Sequence, residues 1–167
     1  MPLLLRFVRN YLNWEHDPED NSWLLPNEIP ADPLSGLSTN NNSLSVYLLD
    51  EIDVKLKRCV AAFAANRNNV QEIHYLIFDE KLVDEVGIKR DTIEGKLCDE
   101  EINKTHQNLS EISSQKLVAL VAKILDDCHS DLCDRIQVCQ LIKNSIQNGW
   151  INEDRVNKGI KKSLNKC

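Results

Sequence analysis

Residues 43–79, SLSVYLLDEIDVKLKRCVAAFAANRNNVQEIHYLIFD, decide the fold class. Ser43–Leu49 sets Leu44, Val46 and Leu48 on one face of an extended chain, which predicts a strand. Between Asp50 and Arg67, residues Ile52, Leu56, Cys59, Val60, Phe63 and Ala64 keep helical spacing, and the alanines favour a helix. Glu72–Asp79 returns to β character, with Ile73, Tyr75 and Ile77 alternating against His74, Leu76 and Phe78. A strand apolar on both faces belongs inside a sheet. Strand, helix and strand in this order suit a right-handed crossover unit.

Working outward, Leu3–Leu12 reads as a further strand. Residues 13–42 read as irregular, because Pro26, Pro30 and Pro33 hold the backbone extended and deny it a ladder. Asn40, Asn41 and Asn42 mark a turn. Downstream the pattern is helical. Lys81–Val86 gives one turn, stopped at Gly87, and Asp99, Glu100 and Glu101 start a helix running to about Leu109, favourable against its dipole. Ser113–Asp127 is the clearest amphipathic helix, carrying Leu117, Leu120, Val121, Ile124 and Leu125. Asp131–Asn148 follows as another helix with Gly149 as its stop, and Asn152 caps a last one holding Val156, Ile160 and Leu164. The expected architecture is α+β in a single globular domain over residues 1–167. A small sheet of about three strands forms within 3–80 and is packed by a helical part, 99–167.

The bulk numbers exclude several classes. The 167 residues are 42% hydrophobic and 28% charged, ample for a core without metal or disulfide staples. No apolar run approaches a membrane span, and Met1–Arg9 lacks the layout of a signal peptide. The six cysteines, Cys59, Cys98, Cys128, Cys133, Cys139 and Cys167, read as reduced thiols in a cytoplasm. Net charge is −6, yet residues 155–167 hold Arg155, Lys158, Lys161, Lys162 and Lys166 with no acid. The remaining body is therefore strongly acidic, which disfavours nucleic acid and anionic lipid and attracts a basic partner.

No catalytic motif stands out. Cys128, His129, Cys133 and Cys139 invite a metal, but on a helix positions five apart point about 140° from each other, so they read as core thiols. Ser35-Gly36 lacks the upstream glycine of a nucleophile elbow, and no glycine-rich loop cradles a phosphate. Asn103 and His106, one helical turn apart, form a candidate pair for orienting an imidazole. Asp50 and Asp79, each ending a strand, would converge on a divalent metal if those strands were parallel neighbours.

The leading expectation is a non-catalytic, cytoplasmic, acidic protein-binding module that needs no cofactor and occludes a basic protein partner. Bacterial immunity proteins and antitoxins share this size, acidity and lack of motifs, which is an analogy of composition. The expected contact surface is Asp79, Glu80, Asp84, Glu85, Asp91, Glu94, Asp99, Glu100 and Glu101, with Trp23 in the Pro-rich stretch as an aromatic anchor. The alternatives are a metal-dependent hydrolase using carboxylates at strand ends, and a structural subunit. The latter would pair copies through the helices at 113–127 and 131–148.

Overall fold

The computed structural model describes residues 2–14, 29–37 and 39–167. Trp23 lies outside the described residues.

The first strand, β1 (Leu3–Val8), is apolar on both faces: Leu4 and Leu5 point to opposite sides and both are fully buried. That pattern calls for neighbours on both edges and layers on both faces. β1 pairs antiparallel with β2 (Leu44–Leu49) on one side and with β3 (Ile73–Asp79) on the other. The helix α2 (Ile52–Ala65) links β2 to β3. The strand–helix–strand reading of 43–79 therefore holds, with one change. β2 and β3 run parallel, but β1 fills the gap between them.

The expected three-strand sheet is overturned. Among the described residues the sheet has six strands in the order β4-β5-β2-β1-β3-β6, every adjacent pair antiparallel. The additional strands are β4 (Lys89–Thr92), between the expected sheet and the expected helical part, and β5 (His106–Ser110) and β6 (Cys128–Cys133), both inside the part expected to be helical. Their sequences, KRDT, HQNLS and CHSDLC, bury only Leu109 between them, so no alternation of apolar and polar residues announces them. The helix expected from Asp99 to Leu109 stops after α4 (Glu100–Lys104), and the one expected from Asp131 begins only at Arg135.

Helices cover both faces of this sheet. On one face α2, α4, α6 (Arg135–Gln147) and α7 (Lys158–Leu164) pack on Leu5, Tyr47, Leu49, Ile73, Tyr75 and Ile77. On the other, α1 (Ala31–Gly36), α3 (Lys81–Glu85) and α5 (Ser114–Asp126) pack on Leu4, Val46, Leu76 and Phe78. The helices expected to pair copies of the chain, α5 and α6, thus bury their apolar stripes on opposite faces of their own sheet. α6 opens on a capping box formed by Asp134 and Gln137. Asn152 caps a 3-10 turn at Glu153–Arg155, while Asn157 caps α7. The basic C-terminal segment is docked, with Ile160 and Leu164 in the core.

The cysteine reading is corrected for two of the six: Cys139 and Cys167 are joined by a disulfide that ties the chain end to α6. Cys59, Cys98, Cys128 and Cys133 are free thiols. Cys128 and Cys133 occupy the two ends of β6 and serve different core layers, so the helical geometry used to weigh them as metal ligands does not apply. No helix of the described residues is long and apolar enough to cross a membrane.

Candidate functional site

β3 carries its last residue, Asp79, to one end of the sheet, where α3 follows at once. The acidic stretch that begins here is divided by the fold. Asp79, Glu80, Asp84 and Glu85 surround α3 on one face of the sheet, and Asp99, Glu100 and Glu101 belong to α4 on the other. Asp91 and Glu94 lie on β4 and just beyond it, at the edge between them.

Most of these carboxylates have internal partners. Arg90 bridges Glu80 and Asp84, and Lys123 of α5 holds Glu85 at 2.6 Å. Asp91 accepts from the Ser110 hydroxyl at 3.0 Å and faces Lys89. Glu100 pairs with Arg155 and Glu101 with Lys104. Asp99 is 1% exposed and caps α4 through the amides of Glu101 and Ile102 while receiving a bidentate Arg58. Its task is structural. Glu94 forms no ion pair among the described residues.

Asp79 ends β3 and Asp50 follows the last residue of β2, at the same end of the sheet, since Leu3 sits opposite both Leu49 and Asp79. The intervening β1 keeps them from being neighbours. Each carboxylate is also taken: Asp50 by Lys55, and Asp79 by the Lys81 amide at 2.9 Å and its ammonium at 3.2 Å. The amide bond, helped by that ammonium, holds the Asp79 carboxyl below its ordinary pKa. Among the described residues no three His, Cys, Asp or Glu side chains gather as a metal would require.

Asn103 and His106 do not form an orienting pair. Asn103 is buried in α4, where its side chain accepts from the Leu97 amide at 2.7 Å and donates to the Leu97 carbonyl at 2.9 Å. His106 opens β5 and bonds the Ile93 carbonyl through Nδ1 at 2.8 Å. Together they brace the loop between β4 and α4.

Two charge groupings were not read from the sequence. Asp126 and Asp127, exposed at the end of α5, follow Lys123, whose ammonium pairs with Glu85 of α3, and so extend the acidic end around α3. At the opposite end of the sheet Arg9, Arg67 and Arg135 line one cavity. Their positions are far apart in the chain, and no local motif links them. Comparison of the chain with protein-family models, curated proteins and solved structures finds no match.

Proposed function

We propose that this is a binding protein whose acidic end, built by α3 and the last turn of α5, engages and occludes a basic protein surface. Six carboxylates, Asp79, Glu80, Asp84, Glu85, Asp126 and Asp127, meet there with three cations, Lys81, Arg90 and Lys123. The observation that carries the reading is Asp126–Asp127. Acids at a helix C-terminus oppose the helix dipole, at about 0.3–1 kcal/mol each, and neither residue has an ion-pair partner among the described residues. Their placement works against stability, and a partner supplying lysines or arginines would turn it to advantage. Localisation in the cytoplasm belongs to this proposal: the four free thiols favour it, and the Cys139–Cys167 disulfide counts against it.

The test is a pull-down with the tagged chain at low and moderate salt, repeated with the D126K/D127K variant. Lysines at that terminus favour the helix dipole, so the variant stays folded. A stoichiometric basic partner is expected, released as salt rises and captured at least tenfold less by the variant. Equal capture by both proteins would remove the acidic end as the contact surface.

A further inference from the structure

At the end of the sheet opposite Asp79, four segments converge. β1 finishes at Val8 and continues into Arg9; α2 finishes just before Arg67; β3 begins beside Gln71 and Glu72; and β6 turns into α6 at Arg135. Together they line an open cavity of about 610 Å³, a size that suits a small molecule. Among the described residues its walls carry three guanidiniums against one carboxylate, Glu72. In a chain of net charge −6 this is a local reversal of sign.

None of Arg9, Arg67 and Arg135 forms a salt bridge among the described residues, whereas Arg58, Arg90 and Arg155 all do. Arg67 is held in place without a carboxylate: its guanidinium lies 4.7 Å from the centre of the Phe63 ring, which stacks on Phe7 at 3.9 Å. Partial burial there pushes the Arg67 pKa below its ordinary value. His74 is not available as a ligand, because its Nδ1 accepts from the Tyr11 amide at 3.3 Å and its Nε2 donates to Glu72 at 3.0 Å. That bond also engages the cavity's one carboxylate. Asp134, next to Arg135, is turned onto the amide of Gln137.

We infer that this cavity is a binding site for the phosphate groups of a small phosphorylated molecule. Guanidinium forks match phosphate oxygens in bidentate fashion, and three of them suit a group bearing more than one negative charge. The acidic remainder of the surface disfavours a nucleic-acid polymer, whose backbone needs an extended basic track. The inference is independent of the acidic end and stands or falls without it.

Calorimetric titration of the whole protein with inorganic pyrophosphate at low salt tests the site. Saturable binding of one equivalent is expected, weakened at least tenfold in Arg67→Gln and in Arg135→Gln. The K161Q/K162Q variant, which removes two α7 cations that do not line the cavity, is expected to bind as the parent does. Should Arg67→Gln unsettle the Phe63 stack, Arg135→Gln decides alone, since that residue is exposed. No saturable binding would overturn the site, as would an equal loss in K161Q/K162Q. Citrate binding more tightly than pyrophosphate would overturn the assignment to phosphate.

Discussion

Replacing Asp99 with alanine is expected to destabilise the protein by about 3–5 kcal/mol, the usual cost of leaving one member of a buried ion pair alone. The side chain accepts from Arg58 Nε and Nη2, both at 2.8 Å, and from the amides of Glu101 and Ile102. Its loss would strand the Arg58 guanidinium, itself lying 5.0 Å from the Trp150 ring centre, and would remove the cap of α4, worth about 1 kcal/mol more. Arg58 belongs to α2 and Trp150 to the segment after α6, so one carboxylate anchors a junction of three elements. Asp99→Asn keeps an oxygen for the helix amides but not the charge, and is expected to fall between parent and alanine variant. Urea denaturation monitored by circular dichroism gives both numbers. A cost below about 1 kcal/mol for the alanine variant, the range of exposed pairs, would make the pair incidental to stability.

The same residue shows where the sequence is informative and where it is silent. Asp99 at the start of a helix was legible from the run of acids behind it, but its burial and its Arg58 partner, 41 positions away, were not. Likewise 43–79 resolves into β2, α2 and β3 within a residue or two, because each element is central and its apolar period is complete. β4 buries no residue, and β5 buries only Leu109. Such strands owe their existence to pairing with β2 and β5, a tertiary cause that no local period reports. α4 illustrates the competition: Ile102 and Leu109 suit one helix face, yet the chain leaves the helix at Thr105 to pair with β2. The acidic stretch fails as a unit for a related reason. Contiguity in sequence put nine acids together, and the crossing from α3 to α4 sets them on opposite faces of the sheet. The three arginines show the converse, since only the return of β1, α2 and β6 to one end of the sheet brings them together.

That dependence on distant contacts is sharpest at Gly159, where substitution by alanine is expected to cost about 3 kcal/mol or more. In an isolated helix the change would gain about 1 kcal/mol. Here a Cβ would stand 1.9 Å from the backbone carbonyl oxygen of Asn68, in the connection between α2 and β3. A backbone atom cannot yield as a side-chain tip does, so α7 must move. The helix start is also pinned there, because the Asn157 amide donates to the Ala65 carbonyl at 3.1 Å and its side chain donates to Asn68 at 3.2 Å. Displacing it pulls Ile160 and Leu164 from the core, and each buried aliphatic side chain contributes about 1.5–3 kcal/mol. Hydrogen exchange distinguishes this local undocking from general loss of stability: amides of 157–164 should lose protection in Gly159→Ala, while those of β1 and β3 keep theirs. Gly149→Ala serves as the control, since its Cβ would meet nothing within 4 Å and only its φ of +69° is strained, a cost of about 1–2 kcal/mol. A Gly159→Ala protein as stable as the parent would mean that α7 does not pack against the Asn68 turn. The basic C-terminal segment would then be held by its disulfide to α6 rather than by packing of α7 into the core.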